Sequence, residues 1–142
     1  MTDHSGKIFP GITPETAPYW EGCREHELRL QYCGSCDHYQ FYPRIMCSHC
    51  MSDQLQWVAA SGAGEVTSFT VVRRAVSEAY RPDVPYVVAL VQLAEGPTMM
   101  SNVVQCDPEA VVVGMPVTVF FEDWDEQVSI PKFCPQAAGV AS

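Results

Sequence analysis

Two Cys-x-x-Cys pairs, Cys33-Gly-Ser-Cys36 and Cys47-Ser-His-Cys50, lie ten residues apart in this chain of 142 residues. Each pair turns two sulfurs toward one point. Two facing pairs present four thiolates at the corners of a tetrahedron, the geometry Zn²⁺ takes at Zn–S distances of about 2.3 Å. A closed four-sulfur shell has no open position for water or substrate, so a metal held by Cys33, Cys36, Cys47 and Cys50 is structural. Spacing alone also admits iron, which in a rubredoxin-like site uses the same ligand type. A disulfide reading needs an oxidising compartment, and the N-terminus shows no charged-then-apolar export signal. The expectation is a zinc ribbon, with the function carried elsewhere in the chain.

A length of 142 residues leaves room for one ordinary domain, or for a small metal module joined to a modest one. Apolar residues make up 47 % of the chain, yet no apolar run approaches the roughly 20 residues that a membrane helix needs. Seven cysteines without an export signal point to a reducing interior, the cytoplasm. The net charge of −9 bears on function, because zinc ribbons often bind nucleic acid and do so with clustered Lys and Arg. Here eight basic residues stand against seventeen acidic ones, and Arg44 is the only one between Tyr32 and Met51. Nucleic acid is therefore not an expected partner. A single phosphorylated cofactor is still compatible with that field, since two or three local positive charges can hold one.

Read along the chain, residues 1–13 show no periodic pattern and are expected to form a flexible arm. Thr16-Ala17-Pro18 reads as a helix start, followed by a helix from Tyr19 to about Leu28 with Trp20 and Cys23 on one side. Cys23 is expected to pack on the helix face rather than to ligate. Short strands at Leu28–Tyr32 and Tyr39–Tyr42 flank the first cysteine pair. His38 and His49 sit beside ligands and are expected outside the metal shell. After the Ser61-Gly62-Ala63-Gly64 loop the pattern becomes β. Strands are expected at Glu65–Ala75, Pro85–Leu93, Thr98–Gln105, Pro116–Glu122 and Gln127–Phe133. The near-continuous apolar run of the second implies burial on both faces. Asp107-Pro108-Glu109-Ala110 has the signature of a helical turn, with Asp as N-cap and Pro at the first position. Five strands with a helical turn between the third and fourth is the plan of an OB-fold barrel. The fold class is thus mainly β: an N-terminal helix and zinc ribbon over 14–60, a five-stranded OB-fold barrel over 61–135, and a flexible tail at 136–142.

The order of motifs resembles a known family. Tyr19-Trp20-Glu21, Leu30-Gln31-Tyr32-Cys33 and Phe41-Tyr42-Pro43-Arg44 surround the cysteine pairs. They are followed by Gly64-Glu65-Val66-Thr67-Ser68-Phe69-Thr70-Val71-Val72, Pro85-Tyr86-Val87-Val88-Ala89-Leu90-Val91, Gly114-Met115-Pro116-Val117 and Ile130-Pro131-Lys132-Phe133. Over residues 15–135 this resembles the DUF35 family, a rubredoxin-like zinc ribbon joined to an acyl-CoA-associated OB-fold domain. The resemblance implies a non-catalytic accessory subunit that braces a thiolase-fold catalytic subunit of thiolase or aldolase type. It also implies a CoA thioester as a shared ligand whose pocket the chain helps to shape. Alternatives from other classes are a free-standing acyl-CoA or lipid carrier, and a nucleic-acid-binding ribbon/OB protein that the charge opposes.

No complete catalytic constellation is legible. Cys106 and Cys134 are the free thiols of the barrel region, and neither has a histidine near it in sequence. Phosphate-cradling glycine loops are absent. Arg73, Arg74 and Arg81 are the best local positive charges, expected to meet a CoA phosphate, an acidic partner surface or solvent. Adjacent strand residues face opposite ways, so Arg73 and Arg74 cannot share one pocket without a bulge. Met99, Met100, Phe120, Phe121 and Trp124 exceed what so small a barrel can enclose; they are expected either at a partner surface or packed against the helix and ribbon.

Overall fold

The structure is a computed structural model, and it describes residue 4 and residues 6–136. Helix α1 (Ala17–Arg24) opens as the sequence suggests, with Pro18 in its first turn. Thr16 Oγ1 accepts the Thr13 amide at 2.9 Å, and the Thr13 carbonyl takes the amides of Thr16 and Ala17. The helix ends four residues before the expected Leu28. His26 takes a left-handed φ of 60°, and the amides of His26 and Glu27 return to the carbonyls of Cys23 and Gly22. The reversal passes so close to Gly22 that a Cβ there would stand 2.7 Å from the Glu27 carbonyl oxygen. Only glycine allows that approach.

The ribbon is a three-stranded antiparallel sheet of order β2–β1–β3, with β1 at Arg29–Cys33, β2 at His38–Gln40 and β3 at Leu55–Ala59. Strand β3 carries no clear alternation and is absent from the sequence reading. It forms because β1 offers it five partners, from Arg29↔Ala59 to Cys33↔Leu55.

The chain then closes a five-stranded barrel of β4 (Ala63–Val72), β5 (Tyr86–Leu93), β6 (Thr98–Val103), β7 (Pro116–Asp123) and β8 (Ser129–Pro135). Its order is β4–β5–β6–β8–β7 and β4 also pairs with β7; the one parallel contact joins β6 to β8 at Val103↔Phe133. A 3-10 turn at Pro108–Ala110 separates β6 from β7, with the Asp107 carboxylate accepting the Glu109 amide as expected. A second, Glu78–Asp83, lies between β4 and β5.

Two expectations are corrected here. Strand β5 is not buried on both faces: Val87, Ala89, Val91 and Leu93 face the core while Leu90 is exposed. A barrel has one inside, so even a run of apolar residues shows one face outward. The first barrel strand ends at Val72, which places Arg73 and Arg74 in the connection beyond it.

Helix, ribbon and barrel share one core. Tyr19, Cys23, Leu28 and Leu30 are continuous with Val66, Val87, Val91, Val117 and Phe133. Burial pushes the Cys23 thiol up to about 12, as suits a packing residue. In the segment expected as a flexible arm, His4 and Lys7 are buried. Lys7 pairs with Asp83 at 2.8 Å, and its ammonium lies over the rings of Tyr80 and Trp124. Of the expected tail at 136–142, all but Gln136 lies outside the described residues. Among the described residues no helix is long and apolar enough to cross a membrane.

Candidate metal centre

Strand β1 ends on Cys33, the β1–β2 turn carries Cys36, and the loop between β2 and β3 carries Cys47 and Cys50. The two turns are built alike. Asp37, at φ 63°, donates its amide to the Cys33 carbonyl at 2.9 Å. Met51, at φ 66°, donates its own to the Cys47 carbonyl at 2.9 Å. A left-handed residue one place after the second cysteine closes each loop and swings both sulfurs inward. Neither Asp37 nor Met51 announces this in the sequence, where glycine would be the usual sign.

The four sulfurs all lie within 4.8 Å of one another, with Cys33 Sγ to Cys50 Sγ at 3.6 Å and Cys36 Sγ to Cys47 Sγ at 3.5 Å. A tetrahedron with Zn–S bonds of about 2.3 Å has edges of roughly 3.8 Å. The donor set and its spacing fit a tetrahedral thiophilic ion without rearrangement of the backbone. The shell is closed, so the arrangement supports a structural zinc.

The thiols are prepared unequally for the ion. The amides of Cys50 and His49 point at Cys47 Sγ, at 3.4 and 3.3 Å, and hold that thiol down at about 6. The Cys36 and Ser35 amides lower Cys33 in the same way. Burial, with hydrogen bonding to the neighbouring sulfurs, pushes Cys36 up to about 12. Without metal the cluster therefore keeps protons that the ion displaces on binding.

His38 and His49 stack on each other across the two loops with ring centroids 4.1 Å apart, both exposed and outside the sulfur cluster. His38 Nδ1 lies 2.9 Å from the Cys36 carbonyl. Beneath the loops, sequence reasoning passed over Gln31 and Gln40. Both are buried and directly paired in the β1–β2 register.

The three arginines are not brought to one site. Arg73 is bonded to Glu109, Arg81 pairs with Glu78 at 3.1 Å, and Arg74 makes no ion pair among the described residues. None lines the cavity of about 280 Å³ at the mouth of β5 and β6, where Lys7, Asn102, Cys106 and Lys132 converge. Of the expected surplus apolar residues, Met99 and Phe121 are buried, and Trp124 stacks on His4 and meets the edge of Phe9. Met100 alone of that group is widely exposed. Tyr42, Ile45, Met46 and Met51, in and beside the metal loops, are also exposed, as are Ile8, Val76, Val112 and Val113 elsewhere.

Residues 20–56 match the family described as ChsH2, rubredoxin-like zinc ribbon domain, and residues 57–122 match ChsH2, C-terminal OB-fold domain. A DUF35 domain-containing scaffold protein of Methanothermobacter thermautotrophicus is 31% identical over 80% of this chain and 86% of its own length. The chain belongs to the DUF35 family. A solved DUF35 chain, from a structure described as "Ltp2-ChsH2(DUF35) aldolase", is 33% identical with a TM-score of 0.79, covering 89% of this chain and 98% of that one. A probable enoyl-CoA hydratase alpha subunit of Thermomonospora curvata is 33% identical over 89% of this DUF35 chain, which spans 39% of that longer protein.

Proposed function

We propose that this chain is a non-catalytic, zinc-braced subunit of a thiolase- or aldolase-type complex acting on acyl-CoA thioesters. The observation that carries the reading is the near-complete coverage of the DUF35 chain of the Ltp2-ChsH2 aldolase at 33% identity. The chemistry of the chain points the same way. A nucleophilic thiol needs a depressed pKa or an adjacent base. Burial instead raises both Cys106 and Cys134, and among the described residues no histidine is hydrogen-bonded to either. Acid–base and nucleophilic groups then come from a thiolase-fold partner, which this chain braces.

Ribbon and barrel share one core, so the metal loops project from a rigid body. Their exposed Ile45, Met46 and Met51 suit a partner surface. A CoA thioester shared with the partner would find Arg74 as the phosphate contact that needs no ion pair broken. Arg73 and Arg81 would first have to leave Glu109 and Glu78.

The test is affinity purification of the tagged chain from its native host, followed by size exclusion and identification of co-eluting proteins. A large assembly containing a thiolase-fold enzyme is expected. A lone small species that binds acyl-CoA would favour the carrier alternative, and thioester turnover by the isolated chain would refute the reading.

A further inference from the structure

The two buried glutamines under the metal loops form a hydrogen-bonded network that reaches the backbone on both sides of a ligand. Gln40 Oε1 accepts the Ser48 amide at 2.8 Å, and Gln40 Nε2 donates to the Met46 carbonyl at 3.3 Å. These are the two peptide groups that flank Cys47, so one carboxamide grips the backbone on either side of the ligand. Gln40 Nε2 also donates to Gln31 Oε1 at 2.6 Å. Gln31 in turn pairs with the backbone of Arg44 as a strand would. Its Oε1 accepts the Arg44 amide and its Nε2 donates to the Arg44 carbonyl, each at 2.8 Å.

The polarity of the network is unique. Turning the Gln40 amide over would set its NH₂ against the Ser48 N–H, and its oxygen against two other oxygens. Both side chains rise from the β1–β2 hairpin, the element that carries the first cysteine pair, and reach the loop that carries the second. The two halves of the site are therefore joined by side-chain amides as well as by the ion. Buried amides are costly unless every donor and acceptor is used. Two glutamines paired across β1 and β2 at 5% and 7% exposure, where leucine would pack more simply, are explained by the peptide groups they hold.

We propose that Gln40, oriented by Gln31, is a positioning residue of the metal centre that fixes the backbone of Cys47 and so the direction of its sulfur. The proposal concerns the ribbon itself and stands apart from the identity of the partner. Removing such outer partners of a metal ligand lowers affinity by about 10–100-fold.

The experiment compares full-length wild type, Gln40→Met and Val117→Ala, the last a fully buried barrel position used as a control for general destabilisation. Zinc affinity is measured by competition with a chromophoric chelator, and the ligand field by the visible spectrum of the Co²⁺-substituted protein. Gln40→Met is expected to bind zinc about 10–100-fold more weakly and to show displaced Co²⁺ bands. Val117→Ala is expected to lower Tm with zinc affinity and spectrum unchanged. Wild-type affinity and spectrum in Gln40→Met would overturn the proposal. So would equal losses of affinity in both variants, which would mark general destabilisation. Should Gln40→Met not fold, amide exchange in zinc-loaded wild type decides. Ser48 and Arg44 are expected to exchange slowly beside the Ile45 amide, which has no hydrogen bond among the described residues, and equal rates for the three would overturn the proposal.

Discussion

Gly64 sits where β4 pairs with both of its neighbours, opposite Leu93 on β5 and Val117 on β7. A Cβ at this position would lie 2.6 Å from Val91 Cγ1 and 3.0 Å from the Gln92 carbonyl oxygen. Carbon atoms prefer about 3.5–4.0 Å, so Gly64→Ala overlaps a fully buried valine by roughly 1 Å. Neither strand can retreat without disturbing a ladder. Overpacking of this kind costs about 1–3 kcal/mol, and the backbone contact places this case near 2–3 kcal/mol. Val91→Ala removes two buried methyl groups at about 0.8 kcal/mol each and leaves a cavity, for about 2–3 kcal/mol in all. Simple addition gives about 5 kcal/mol for the pair. In the double variant, however, the new methyl enters space that Val91 Cγ1 vacated, so the loss is expected near 3 kcal/mol with a coupling of about 2 kcal/mol. Urea unfolding of the zinc-saturated proteins, followed by far-UV circular dichroism, measures all three variants. Losses that add to within about 0.5 kcal/mol would refute the close approach on which the barrel closure depends.

Three further outcomes are expected. Chelation of the metal should raise amide exchange through β1–β3 while β5 and β7 stay protected, because the barrel keeps its own centre around Val66, Val117 and Phe133; exchange mass spectrometry would show it. Zinc uptake at pH 7 should release fewer than four protons, since Cys47, held at about 6, is already ionised, whereas Cys36, at about 12, is not. The sign follows from the same direction: a thiol held below its ordinary value loses its charge, and the site its readiness, as pH falls through about 6. Proton release in weak buffer and metal affinity between pH 5 and 8 measure both. Finally, Ile45→Asp and Met51→Asp, at positions 68% and 73% exposed, should leave Tm within about 2 °C of wild type and weaken capture of the partner subunit. Unchanged capture would remove the metal loops from the interface.

What could be read without the structure was local. The i, i+3 spacing within each cysteine pair names the four ligands, because the bonds that aim the sulfurs close within five residues. Alternation and turn chemistry recover the five barrel strands and the Asp107–Ala110 turn for the same reason. Boundaries shifted where a backbone reversal or a distant strand partner outbid local preference. The helix stops at Arg24 because the chain folds back over Gly22, and β3 exists because β1 supplies its partners. The arginines show the same limit from the side of charge. Each reads as a free cation, yet Arg73 is met by Glu109, thirty-six residues on, once β4 and the turn after β6 come together.

Ligand identity, the five strands of the barrel and the sign of the overall field thus belonged to the sequence alone, since each depends on neighbours along the chain or on a plain sum of charges. Which polar groups sit inside was settled only by packing. Lys7 is buried because Asp83 and two aromatic rings receive it, and Gln31 and Gln40 because strand register sets them side by side beneath a ligand. Burial of a polar group depends on partners drawn from distant positions, and only the closed fold decides who those partners are.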